Sequence, residues 1–318
     1  MTINPSIKLR SSTPRLRLEE IDAERSRSIK KAIIPIAGLG TRFLPLSKVF
    51  PKELWPVVDK PALQYIIEEA IASGIKEVIF VNRPEKKIVI DYFRKYLKRA
   101  PELEEILKLR KKNHLFKELK KLERISEKIS LSQIIQKEPL GDGHAVLQAK
   151  KLLKREPFAV LFGDDIVESK TPCLSQLIKI FKRYRRPVLA LYQVPKEKLP
   201  FYGVVKVKKV GNSVYEVKDI IEKPEVEKAP SNLAIVGKYI LTPDIFNYLE
   251  KERVDKKREI ILANALRKMI KDGFKVFGVK FEGKWLECGN KLAYLKSNFY
   301  LSLKHPQFGK ELEKFLRN

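Results

Sequence analysis

KAIIPIAGLGTRFLPLSKVFPKELWP, Lys31 to Pro56, contains the transition that decides the fold. It opens as KAIIPIA, a short apolar run of strand length, and breaks at once into a loop carrying Gly38 and Gly40. Beyond the loop, ALQYIIEEAIASG has apolar residues at helical spacing and stops on Gly74, a good helix terminator. KEVIFVN follows as a second buried strand. Strand, loop, helix and strand make a βαβ unit, and such units build a parallel sheet. In sheets of this kind ligands sit beyond the carboxyl ends of the strands. Gly38–Arg42 and Asp164–Asp165 both fall there.

Further along, residues 86 to 128 are rich in Lys, Leu and Glu and read as helices with charged outer faces. SQIIQ reads as a strand, and GHAVLQAKKLL as a helix beginning just after Gly143. PFAVLFGDD is a buried strand ending on carboxylates. SQLIKIFKRY is an amphipathic helix and PVLALYQV another strand. GVVKVKKVGNSVYEVKDIIEKP alternates like two strands about a Gly-Asn turn. No internal repeat or low-complexity linker interrupts the pattern. The expected organisation is a polar tail over residues 1–29 and one α/β domain over 30–318. Its sheet is mixed, mostly parallel and flanked by helices.

With 318 residues, 44% of them hydrophobic, the chain can bury a large core. The early apolar run Ala32–Ala37 is far shorter than the roughly 18 to 20 residues that cross a bilayer, so no membrane helix is expected. Two cysteines, Cys173 and Cys288, cannot make a disulfide framework. The opening MTINPSIKLRSSTPRLRLEE lacks the apolar core of a secretory signal. The expected location is the cytoplasm. The net charge of +27 is spread along the chain with Asp and Glu among the cations. That pattern reads as a solvated lysine-rich surface rather than a nucleic-acid face, which would cluster arginines among aromatics.

The glycine loop lacks the GK[ST] of a Walker A loop. It also lacks the third glycine of a dinucleotide fingerprint, since Phe43 stands in that place. Taken alone, the glycines fit a tight turn with surface cations. Together with Arg42, Lys48 and Lys52 they fit an anion cradle: glycines admit a polyphosphate close to backbone N–H groups, and Arg42 offers a bidentate donor.

From Ala37 to Tyr65 the chain resembles the N-terminal motif of the bacterial UTP–glucose-1-phosphate uridylyltransferases, sugar nucleotidyltransferases with a Rossmann-like fold. The resemblance continues through QKEPLGDGHAV, FAVLFGDDIV, FYGVV, IIEKPEVEKAPSNLAIVGKYILTPDIF and ECGNKLAYLKSNFYLSLKHPQFG. It implies that glucose-1-phosphate attacks the α-phosphorus of UTP in line, giving UDP-glucose and pyrophosphate with Mg²⁺ and no covalent enzyme intermediate. On that resemblance Ala37, Gly38 and Gly40 line the nucleotide. Arg42 holds the leaving phosphates, and Lys52 stands by the reacting centre. Gln136 reads the uracil edge, with Gly141 beside the base. Asp164 binds Mg²⁺. Gly203 and Val236 wall the sugar, Glu222 accepts from its hydroxyls, and Lys223 holds its phosphate. For adjacent Glu222 and Lys223 both to reach one ligand the chain must be irregular there. The family also implies a homo-oligomer.

Plainer roles stand beside these. Gln136 can be a satisfied strand polar group, Asp164 and Asp165 ordinary loop carboxylates, and Glu222–Lys223 a surface ion pair of little worth. His144 reads as a helix-start residue rather than a catalyst. The chain also departs from the family pattern. EIILANA, Glu259–Ala265, stands where the family commonly has EIQLTDA. Glu287 replaces an Asp, and Trp55 is a local change. Three alternatives stand beside this reading: a weakly active or non-catalytic regulatory paralogue, motivated by EIILANA; a thymidylyltransferase of the same fold, the main neighbour within the enzyme class; and, on charge alone, a nucleic-acid binder.

Overall fold

The computed structural model describes residues 28–96, 100–153, 155–255 and 258–318, so most of the polar tail expected over 1–29 lies outside the described residues. Thirteen strands are described. In chain order they are β1 (Lys31–Pro35), β2 (Pro56–Val57), β3 (Lys60–Pro61), β4 (Glu77–Asn82), β5 (Ser130–Ile135), β6 (Phe158–Leu161) and β7 (Asp165–Glu168). β8 (Val188–Gln193), β9 (Gly203–Lys209), β10 (Val214–Glu222), β11 (Leu233–Leu241), β12 (Val276–Lys280) and β13 (Lys284–Glu287) follow.

Nine of them form one sheet in the order β5-β4-β1-β6-β11-β8-β12-β10-β9. β5, β4, β1 and β6 are mutually parallel. β11 runs against β6 and β8, and β10 runs against β12 and β9. Only β10 and β11 thus oppose the common direction, which is the mixed, mostly parallel sheet expected. β9 also meets β11 at Val204 and Ala234, so the second half of the sheet curls back on itself.

Alternation along the central strands assigns side chains to opposite faces. Ala32 and Ile34 of β1, with Val78 and Phe80 of β4, join a core beneath the helices Ala62–Ala72 and Cys173–Tyr184. Ile33 and Ile79 join the opposite core with Val146 and Leu266, from the helices Gly141–Gln148 and Leu262–Lys271. Because both faces are covered, the strands read as continuous apolar runs. Each fully buried Ile, Val, Leu or Phe contributes about 1.5–3 kcal/mol of transfer free energy.

The expected helix stop at Gly74 is present, with φ of 88°. The helix expected to begin after Gly143 instead begins at Gly141, so that Gly143 lies within its first turn. Gly143 N–H donates outside the helix, to Ile260 O at 2.9 Å, so the free N–H groups of this first turn find a partner in the neighbouring segment.

β7 and β13 form a separate two-stranded ribbon in which Asp165 faces Glu287. The ribbon carries the carboxyl end of β6 across to the helix Lys291–Leu303, whose Asn290 cap accepts from Ala293 N–H. Trp55 fills the corner between these parts. Its ring packs edge-on against Phe43 and Tyr294 at 4.6 and 5.3 Å, giving the local sequence change a packing role.

Candidate active site

The loop after β1 is shaped by Gly40, at φ of 66°, and a 3₁₀ turn over Thr41–Phe43. Ser47 Oγ donates to Gly40 O at 2.8 Å and closes the loop. A Cβ on Gly38 would meet no atom of the chain, so packing does not require glycine there. Gly38 is exposed and Ala37 buried.

Lys52 reaches from the following 3₁₀ turn to Asp164 at the end of β6, and the two form an ion pair. Burial works against charge on both, but each is held in its charged form by the other. The Lys52 ammonium is raised by Asp164 and Glu53, and the Asp164 carboxyl is lowered by Lys52 and Arg42. Glu53 is buried and accepts from Lys86 Nζ at 2.8 Å, while that same ammonium donates to Ile36 O at 2.9 Å. Lys86 thus ties the Lys52 turn to the chain just beyond β1.

Gly289 opens the centre of this group. A Cβ at that position would lie 3.2 Å from Glu287 Oε1, 3.3 Å from Asp164 Oδ2 and 3.5 Å from Arg42 Nη1. Two carboxylates and a guanidinium therefore border one small space. Glu287 Oε2 accepts from Tyr202 O–H at 2.7 Å, which fixes how the longer side chain reaches. Behind Asp164, buried Asp165 accepts from Gly237 N–H at 3.0 Å and Trp285 Nε1–H at 2.7 Å. Burial, then the neighbouring Asp164 charge, pushes its carboxyl up to about 7. Among the described residues no group of three or more His, Cys, Asp or Glu is arranged to hold a metal. Asp164 and Glu287 supply two hard oxygen donors, a set that suits Mg²⁺ when substrate phosphates complete the coordination.

A second group lies at the end of β5. Gln136, 2% exposed, places Nε2 3.3 Å from Gly141 O and 2.7 Å from His144 Nδ1. Gly141, at φ of 92°, is pressed against the segment that departs from the family: a Cβ there would come 2.6 Å from Ile260 O. Ile260 N–H donates to Leu140 O at 2.7 Å. Asp142 Oδ1 accepts from Gly143 and Leu262 N–H at 2.7 and 3.0 Å. This carboxylate does for the helix Leu262–Lys271 what its Ile261 N-cap cannot. Burial raises the Asp142 carboxyl to about 6, with a further upward push from Glu222. The clamp on Ile260 and Leu262 is made by their backbone groups, so the side-chain changes in EIILANA leave it intact.

The third group comes from the curled half of the sheet. Glu222 pairs with Gly203 in the β10–β9 register. A Cβ on Gly203 would lie 3.0 Å from Glu222 Oε2 and 3.4 Å from Ile235 Cδ1, next to the buried Val236. Lys223 adopts φ of 49°, the expected irregularity, and its Nζ pairs with Glu222 Oε1 at 2.9 Å. Asp142 feels both Glu222 and Lys223, which brings the second and third groups into one neighbourhood.

The sequence-derived residues therefore assemble as Arg42, Lys52 and Asp164; Gln136 and Gly141; and Gly203, Glu222 and Lys223, while the Val236 side chain is buried in the core beneath the helices Ala62–Ala72 and Cys173–Tyr184. Sequence reasoning missed Glu53, Lys86, Tyr202 and Gly289. Glu53 and Lys86 lie within charged stretches and gave no local signal. Tyr202 and Gly289 lay in the quoted FYGVV and ECGNK segments. Two surface cavities, of about 390 Å³ beside Glu168–Thr171 and about 630 Å³ between Tyr184 and Phe274, are lined by none of the sequence-derived residues.

Residues 31–302 match the family model for nucleotidyl transferases. The UTP–glucose-1-phosphate uridylyltransferase of Staphylococcus haemolyticus is 41% identical over 291 residues, covering 92% of this chain and 98% of that protein. A UTP-bound UGPase from Acinetobacter baumannii superposes with a TM-score of 0.81 at 37% identity, covering 92% of this chain and 99% of the other. A UDP-glucose pyrophosphorylase complexed with UDP-glucose gives 0.78, also at 37% identity, covering 87% and 100%.

Proposed function

From the premise that the chain belongs to the nucleotidyl transferase family, with the UTP–glucose-1-phosphate uridylyltransferases as its relatives, we propose that it joins UTP and glucose-1-phosphate to give UDP-glucose and pyrophosphate. The observation that carries the reading is the convergence of Arg42, Asp164 and Glu287 on the space left by Gly289, with Lys52 paired to Asp164.

The sugar phosphate and the triphosphate are both anions, so the protein must align them and offset the charge that accumulates as they meet. The loop Ala37–Gly40 lies against the nucleotide phosphates, with Gly38 open to them. Arg42 takes the leaving pyrophosphate. Lys52 exchanges part of its hold on Asp164 for the α-phosphate, where it offsets developing charge. Gln136 and Gly141 take the uracil. Gly203 bounds the sugar, Glu222 accepts from its hydroxyls, and Lys223 turns from Glu222 to the sugar phosphate. Asp164 and Glu287 would hold Mg²⁺, which when bound supplies Lewis-acid neutralisation of phosphate charge. The reading extends to a cytoplasmic homo-oligomer with no nucleic-acid partner. No described helix is long and apolar enough to cross a membrane.

The non-catalytic alternative rests on the side chains of Ile261, Ala263 and Asn264, while the backbone clamp is made at their neighbours Ile260 and Leu262; sugar-dependent turnover would rule that alternative out. Pyrophosphate release from UTP and Mg²⁺ tests the proposal. Release should require glucose-1-phosphate and collapse in Lys52→Ala. Release that ignores the sugar, or survives that substitution, overturns it. Substituting dTTP for UTP separates the thymidylyl alternative.

A further inference from the structure

Gln136 donates through Nε2 in two directions. Gly141 O, 3.3 Å away, can only accept, which identifies the nitrogen end of the amide. The same nitrogen lies 2.7 Å from His144 Nδ1, which must therefore accept as well. An imidazole accepting at Nδ1 carries its proton on Nε2. His144 Nε2 stands 2.9 Å from Gln148 Nε2; two donors cannot share that contact, so the Gln148 amide turns over to present its oxygen there. Burial lowers the His144 pKa and so favours this neutral ring, against an opposing effect of Glu138. Both hydrogens of the Gln136 amide are then committed. Its Oε1 accepts from no group among the described residues.

We infer that His144 is a positioning residue that fixes the Gln136 amide with its oxygen toward the ligand, and thereby selects bases whose ring edge offers an N–H donor. Uracil and thymine present N3–H to such an acceptor, whereas cytosine presents an N3 lone pair and is refused. The inference rests on the uridylyl reading, in which Gln136 meets the base. It goes beyond that reading by making discrimination between bases a property of His144, which touches no substrate. Without the imidazole acceptor the amide can turn over, and it then accommodates either edge.

The test compares UTP and CTP as nucleotide substrates, at saturating glucose-1-phosphate, in the wild type, Gln136→Ala, His144→Phe and His144→Asn. His144→Phe should raise KM for UTP about 10-fold and narrow the UTP/CTP ratio of kcat/KM by a similar factor, the scale of one buried hydrogen bond. Its kcat and its KM for glucose-1-phosphate should stay within about twofold of wild type. His144→Asn, whose Oδ1 falls near the position of Nδ1, should restore the ratio. If His144→Phe fails to fold, as judged by thermal melting, His144→Gln carries the test. Its amide cannot place an acceptor at the Nδ1 position, and the same narrowing is expected. A ratio that changes in Gln136→Ala but not in the His144 variants overturns the positioning role. A ratio unchanged in Gln136→Ala overturns the underlying contact with the base. Equal losses with both nucleotides, or no rescue by Asn, reduce His144 to a packing residue and overturn the inference.

Discussion

Lys52 and Lys223 each hold a carboxylate, and the two pairs are built differently. Lys52 and Asp164 are separated by 112 residues, and their side chains are only 18% and 20% exposed. Lys223 and Glu222 are neighbours in sequence, and the lysine is 52% exposed. The first pair is assembled by the fold and kept out of water, where an ion is expensive to leave alone. The second is a local, solvated contact of small intrinsic worth. Its distinctive feature is the positive φ of Lys223, which aims two adjacent side chains at one place. On the proposed assignment, the nucleotide side is thus organised in advance by tertiary contacts, and the sugar side by backbone geometry with a cation that can change partners.

Substitutions at the two lysines test this contrast most strongly. Lys52→Ala should lower kcat by about 10²–10³ in the pyrophosphate-release assay, the usual cost of losing one electrostatic donor at the reacting centre. Lys223→Ala should act chiefly on the sugar. KM for glucose-1-phosphate should rise about 10- to 100-fold, the worth of a charge-assisted hydrogen bond, with a smaller change in kcat. If both variants lose kcat equally with unchanged KM, the division between a fixed and an exchanging cation is wrong.

Gly141→Ala probes the tertiary contacts of the nucleotide side without touching a charge. A side chain at φ of 92° and 2.6 Å from Ile260 O must displace the clamp. The expected cost is about 2 kcal/mol in urea unfolding, together with a raised KM for UTP. A neutral result would mean that the clamp yields freely.

The smallest effect concerns Asp165, behind the fixed pair. Its folded carboxyl binds a proton more tightly than in the unfolded chain, about 7 against an ordinary 3.8. Its contribution to stability is therefore complete below about pH 4 and is lost as pH rises through 7. Asp165→Asn does not titrate and gives up one of two acceptors. It should be about 1 kcal/mol less stable at pH 5 and approach the wild type above pH 7, read from urea midpoints across that range. A constant difference would show that Asp165 does not titrate in this window.

The frame of this molecule is legible in its residues because alternation and helical spacing act locally. KAIIPIA, KEVIFVN and PFAVLFG could be read as strands, and Gly74 as a stop, without knowing what they pack against. The site could be read only in pieces. That Glu287 stands across from Asp165, and borders the same opening as Asp164, depends on ribbon pairing across more than 120 residues, which no local pattern displays. The clamp at Ile260 and Leu262 was hidden for another reason: its bonds are made by N–H and C=O groups that every such residue carries, so no side chain announces it. The early start of the helix at Gly141 has the same origin, since a tertiary acceptor serves its first turn.

The curl of the sheet also governs what this protein offers to strangers. An open sheet ends in two rows of unpaired backbone groups, each a template on which another chain can add a strand and begin to aggregate. Here one row starts to turn inward where Val204 meets Ala234, and the remainder of that strand runs through Lys206, Lys208 and Lys209. At the opposite margin Arg94 donates to Leu131 O at 2.9 Å and occupies an outward acceptor of β5. Part of the surplus positive charge thus falls where it keeps copies of the sheet from stacking edge to edge, a service to solubility rather than to catalysis.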